Sequence, residues 1–295
     1  MNKARLHRLL NTTENSDLGR DGYLQAFMLM LAVSRVVALL IPVMNDGAIA
    51  VNIIVSVVVL FMFAGRFHRV LRQARSPPAP AKRSLKVVYW LAAHVGAIAL
   101  LGAVFGFGNL FFPGFIESRD PGVDLSDPRV VAIVAFFAFV VAGPYEEAQR
   151  WAVIFGFYLL GSRLVPRVNR VILLALSVAV SAAYFGAAHL DQYPVEHTVE
   201  AMLVFGTEGP VLAFFAYWSG SFWAAALLHN LYNFTSPLVL ALGEEVLAFG
   251  TRDQLLVAQM LVAIGCALVV WNLSRKESVF RANPLQGEGL GGLRS

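Results

Sequence analysis

The chain has one cysteine, Cys266, in 295 residues. That excludes an intrachain disulfide and any cysteine-based metal cluster. Charge is also scarce. Asp, Glu, Lys and Arg together make up 14% of the residues, against about a quarter in soluble domains. There is no H-E-x-x-H pair, so the usual helical zinc-protease signature is missing. The N-terminus is short and basic from Met1 to Leu10 and polar from Asn11 to Gly22, with no small-residue cleavage site behind an apolar core. It does not have the pattern of a signal peptide, and the first hydrophobic run is expected to stay in the mature protein. No internal repeat and no nucleic-acid motif is visible.

Apolar residues are abundant: 58% of the chain is hydrophobic and 22 residues are Phe, with a mean hydropathy of +0.65. The apolar runs are continuous rather than alternating, which excludes a β-barrel. The expected fold is all-α, a polytopic membrane helical bundle, because helices satisfy their backbone polar groups within lipid. Eight apolar segments approach or exceed the ~20 residues a span needs. They are Tyr23–Val43, Ala48–Ala64, Val87–Phe112, Val130–Leu160, Val171–Leu190, Ala201–Trp218, Phe222–Leu240 and Gln254–Asn272. The expected organisation is a cytoplasmic tail over 1–22, a transmembrane domain over 23–272 and a cytoplasmic tail over 273–295. Cys266, in the last run, is expected to be a small packing residue.

The basic residues set the expected orientation. Eighteen Lys and Arg fall in the N-terminal tail, the 65–86 connection, the 161–170 connection and the C-terminal tail, and three (Arg119, Arg129 and Arg252) fall in the alternate connections. This parity fits eight spans with both termini inside, in a cell membrane. Ser76–Ala81, SPPAPA, reads as a stiff linker. The acidic, proline-containing loop from Pro113 to Arg129 is expected outside. The basic loop Arg66–Lys86 is expected to be chiefly an orientation signal, with anionic lipid binding as the other reading.

Three polar clusters interrupt the apolar runs: Glu146, Glu147 and Arg150; Phe185 and His189; His229 and Asn233. Charge at bilayer depth costs a few kcal/mol or more, so such residues are paired, face a cavity or are functional. Either glutamate can reach Arg150, at i, i+4 or i, i+3. A structural ion pair accounts for one of them and leaves the second carboxylate over. His189 ends a run of small and aromatic residues, YFGAAHL, where a packing histidine and a site histidine are both reasonable. His229 and Asn233 share a helix face as two hydrogen-bond donors, suited to helix–helix adhesion or to an oxyanion. Glu208, in FGTEGP, is the rival site residue. It has no ionisable neighbour in its own span, which favours a structural or gating role, with Arg35 a candidate partner. Gly143-Pro144 is a place for a helix to kink or restart.

In that order and setting the clusters resemble the CPBP family of intramembrane proteases, which includes type II CAAX prenyl endopeptidases and bacteriocin-processing or self-immunity (Abi-like) proteins. Phe185-x-x-x-His189 and His229-x-x-x-Asn233 match the family's F-x-x-x-H and H-x-x-x-N/D in full, and the likeness covers roughly 130–240. The first family motif is E-E-x-x-x-R, and here one residue fewer separates the pair from Arg150. If the pair is aligned, Trp151 takes the arginine position. If the arginine is aligned, Tyr145 replaces the first glutamate. Aligning the pair is preferred, because a carboxylate base is the harder part to replace.

The resemblance implies a glutamate-dependent endopeptidase. Glu146, with His189, would activate a water; Glu147 and Arg150 would orient Glu146; His229 and Asn233 would hold the oxyanion. The substrate would be a peptide or a prenylated or lipid-associated protein, with membrane lipids as partners and no nucleic acid. No cofactor is expected, though Glu146, His189 and His229 form a possible zinc set. Two other classes stay open: a transporter or channel component, and an inactive family member acting as a scaffold or immunity protein.

Depth counting sets a condition on a single site. At ~1.5 Å per residue, Glu146 lies about 24 Å along a straight span from Val130, and His189 about 27 Å along one from Val171. Straight antiparallel spans with those edges would separate Glu146 from His189, so a kink at Pro144, a tilt or a different span edge must bring them together.

Overall fold

The computed structural model describes residues 3–20, 45–74, 83–112, 129, 132, 136, 142–190, 193–241 and 252–282. Every regular element among them is helical. The helices are α1 (Lys3–Asn15), α2 (Asp17–Arg20), α3 (Asn45–Gln73), α4 (Arg83–Phe111), α5 (Gly143–Leu164), α6 (Arg170–Ala187), α7 (Thr198–Ser219), α8 (Phe222–Ala241) and α9 (Arg252–Ala282). A 3-10 turn at Val195–His197 leads into α7.

Among the described residues, four helical stretches are long and apolar enough to cross a membrane: Ser84–Val104, Arg170–Ala187, Val195–Ser219 and Leu256–Ser274. The expected first span, Tyr23–Val43, lies outside the described residues, as do Arg35, SPPAPA and most of the Pro113–Arg129 loop.

The chain divides into two compact units, Met1–Ser76 with Val104–Thr251, and Pro77–Ala103 with Arg252–Ser295. In the second unit Cys266 packs on Gly96 of α4, a contact between small residues at a helix crossing. The rest of α9 presents Val257, Leu261, Ile264, Leu268 and Trp271 outward, an apolar face suited to lipid.

The first unit carries the site. Two antiparallel hairpins, α5–α6 and α7–α8, pack on each other, with α3 against α5 and α8. The α5–α6 connection is short because Asn169 caps α6, its Oδ1 accepting from the Val171 N–H at 2.8 Å. On the α3 side the core is aromatic: Phe67 packs on Phe63, Phe155 and Phe222 at ring distances of 5.9, 5.6 and 6.4 Å. The N-terminal residues, expected as a plain tail, form α1 docked at the connection end of α5–α6. Glu14 accepts the Tyr158 hydroxyl at 2.6 Å and pairs with Arg170 at 3.0 Å, and Arg163 donates to the Gly19 carbonyl.

The start of α5 lies directly against α8. The Gly143 N–H donates to Asn230 Oδ1 at 2.6 Å, and a Cβ on Gly143 would fall on that amide and on the Ala226 carbonyl. Pro144 sits in the first turn, where its missing N–H leaves no intrahelical bond unmade. Gly143→Ala is expected to lower stability by about 1–3 kcal/mol through overpacking. A denaturation midpoint equal to the parent's would contradict this close approach.

Candidate active site

The α5–α6 hairpin explains how Glu146 and His189 come to the same level. Glu146 lies in the first turns of α5, and His189 lies just past the end of α6. The two are equally far along the chain from the connection, so antiparallel packing sets them level. Counting both residues from the α5–α6 connection therefore needs no reference to Val130, which lies outside the described residues.

The F-x-x-x-H spacing has a local reason. His189 Nδ1–H donates to the Phe185 carbonyl one turn back, at 2.8 Å, and its ring packs on Phe185 at 4.6 Å. Phe205 of α7 stacks on the other face at 4.2 Å, nearly parallel. With Nδ1 carrying the donated proton, Nε2 is the acceptor of the neutral ring. Phe185 also touches the other two clusters. The Arg150 guanidinium lies 4.0 Å from its ring centre and the His229 ring meets it edge-on at 5.8 Å.

His229 joins the two glutamates. Its Nδ1 is 3.2 Å from Glu147 Oε1, and its Nε2 is 3.2 Å from Glu146 Oε2. Neighbouring residues on a helix do not face each other, but an imidazole presents two nitrogens on opposite sides and so reaches both. Two such contacts need two protons among the three groups. Arg150 Nε donates to Glu147 Oε1 at 3.0 Å, the i, i+3 contact expected from the sequence. Glu147 and Arg150 are fully buried, whereas the Glu146 side chain is 20% exposed. Glu146 is therefore the more open of the two carboxylates. It also lies within the electrostatic reach of His189.

All six predicted site residues lie in the first unit. Glu146, Glu147, Arg150 and His229 form one contact network, and Phe185 ties His189 to it. Asn233 is half-buried one turn beyond His229 on α8. Trp151, the alternative arginine position, is buried against Phe155 at 5.1 Å. Among the described residues, no three His, Cys, Asp or Glu side chains are arranged to hold a metal ion. In the set Glu146, His189 and His229, both nitrogens of His229 face carboxylates.

Two contributors escaped the sequence reading, and a third, Glu208, was expected there in a structural or gating role. Asn230 anchors the start of α5, and its only signal was adjacency to His229. Phe205 fixes the His189 ring, a role no spacing reveals. Glu208 is buried on α7, and its acid group accepts the Tyr232 hydroxyl of α8 at 2.7 Å. Its partner in the described residues is thus a tyrosine, and its neighbours are the charged groups of the site. An isolated carboxylate in an apolar helix was the signal.

Residues 127–235 match the family model described as type II CAAX prenyl endopeptidase Rce1-like. No curated protein and no solved structure matches the chain. The matched segment, a little over a third of the chain, contains Glu146, Glu147, Arg150, His189, His229 and Asn233, and over that segment the chain is similar to the CAAX prenyl endopeptidases of the CPBP type.

Proposed function

We propose that this protein is a glutamate-dependent intramembrane endopeptidase. The observation that carries the reading is one imidazole, His229, held between Glu146 and Glu147 beside His189, within the family-matched bundle. Glu146 is the base: it takes a proton from water as the water oxygen bonds to the scissile carbonyl carbon. His189 Nε2 helps hold that water. The carbonyl π pair moves to oxygen, and the resulting oxyanion is met by His229 Nε2–H and the Asn233 amide. Collapse expels the amine, which takes the proton from Glu146. Glu147, paired with Arg150, holds His229 Nδ1 and so sets the ring's direction.

The mechanism draws on no metal or other cofactor. The substrate is a peptide or a prenylated, lipid-associated protein presented from the bilayer. The same reading places eight spans in the cell membrane with both termini inside. The shared end of α1 and the 163–170 connection, two basic segments, supports that parity.

The test uses the full chain in lipid nanodiscs with a farnesylated CAAX peptide and its unprenylated counterpart. The expected result is release of the C-terminal peptide from at least the farnesylated form, at a rate unchanged by a zinc chelator. Absence of any cleavage product from folded protein would overturn the peptidase reading, and loss of cleavage on chelation would overturn the metal-free mechanism.

A further inference from the structure

Glu208 has no part in the chemistry above, yet it is 2% exposed in an apolar helix. Burying an acid group carries a penalty that one hydrogen bond offsets only in part. A leucine there would serve packing better. Its place in the fold suggests what it contributes. The α7–α8 hairpin brings Glu208 level with the turn of α8 that carries Tyr232, and the Tyr232 hydroxyl donates to Glu208 Oε1 at 2.7 Å. Tyr232 is three residues after His229 and directly before Asn233, so this bond fixes the rotation of the α8 segment that presents both.

Two features of α7 make the cross-link consequential. Pro210 lies inside α7 and has no N–H for the Gly206 carbonyl, so the helix's own ladder is interrupted around Glu208. Gly209, the next residue, lies against Arg150; a Cβ there would be 2.6 Å from Nη1. One short stretch of α7 thus seats Arg150 and anchors α8. Glu208 is also within the electrostatic reach of His229, Arg150 and Glu146.

We infer that Glu208 and Tyr232 are a positioning pair: Glu208 acts as a hydrogen-bond acceptor that holds Tyr232, and through it sets His229 between the two glutamates. It acts as an acceptor and not as a second base. The inference takes the site's role from the proposed peptidase, but its primary test does not need cleavage.

The test is NMR of ¹⁵N-histidine-labelled full chain in nanodiscs, following the hydrogen-bonded ring N–H signals of His229, assigned by their loss in His229→Gln. Glu208→Gln keeps an acceptor and is expected to keep these signals. Tyr232→Phe and Glu208→Leu are expected to shift or lose them while the proteins stay monodisperse. Wild-type signals in Tyr232→Phe would overturn the pair. Loss in Glu208→Gln as complete as in Glu208→Leu would overturn the acceptor role.

With the farnesylated peptide, Tyr232→Phe and Glu208→Leu should lower kcat about ten- to hundred-fold with little change in KM, as expected for misplaced groups. Glu208→Gln should stay near the parent. If the wild type cleaves nothing, the peptidase reading fails and the NMR result still decides the pair.

Discussion

Glu146→Gln is expected to reduce peptide cleavage by about 10²–10⁴-fold, the range for loss of a general base, while leaving the protein folded. The substitution is isosteric, and the amide still offers an oxygen toward His229 Nε2, which the native carboxylate meets at 3.2 Å. Glu147→Gln should behave differently. Glu147 is fully buried and its Oε1 serves both Arg150 and His229, so the change disturbs the alignment of His229 and the stability of the bundle. Its cleavage rate should fall less than that of Glu146→Gln, and its unfolding midpoint should fall more. The measurement is kcat and KM for both variants alongside denaturation of each. Full activity in Glu146→Gln, or a ranking in which only Glu147→Gln is inactive at parental stability, would remove Glu146 as the base. A protein without catalytic function would show no cleavage in the parent or in either variant.

Much of this arrangement was legible in the sequence because polar groups in apolar helices have few inexpensive roles. Phe185 and His189, and His229 and Asn233, are i, i+4 pairs whose spacing carries their geometry. For the first pair the structure supplies the reason, a ring N–H returned to the carbonyl one turn back. Arg150 and Glu147 meet as their i, i+3 spacing allows. Depth was harder to read. Counting from Val130 and Val171 found no common level for Glu146 and His189, whereas counting both from the connection that joins α5 to α6 sets them level. Contacts between helices were not legible at all. Glu208 had no ionisable neighbour in its own span, and its partner lies on the next helix, brought level by antiparallel packing. The same holds for Phe205 on His189. Periodicity reports which residues share a helix face, but not which face of another helix they meet.

Arg150→Leu should be the most destabilising substitution in the site. It leaves Glu147, with no exposed side-chain surface, without its cation, and removal of one partner from a buried pair costs about 3–5 kcal/mol. It also removes the guanidinium from the face of Phe185, 4.0 Å away. Arg150→Lys should recover little, since a compact ammonium cannot both donate from the Nε position to Glu147 and lie flat on the ring. The double variant Arg150→Leu with Glu147→Leu should regain much of the lost stability, because two apolar side chains replace a charged pair that had to be desolvated. A double-mutant cycle read from reversible denaturation then gives the coupling between the two positions. Arg150→Leu within about 1 kcal/mol of the parent, the range for exposed pairs, would contradict the burial of this ion pair. The restored double variant should still cleave nothing at the parental rate. His229 would have kept its contact with Glu146 and lost the carboxylate that holds Nδ1, so a bundle made stable again without Glu147 would separate what that residue does for the fold from what it does for the direction of the ring.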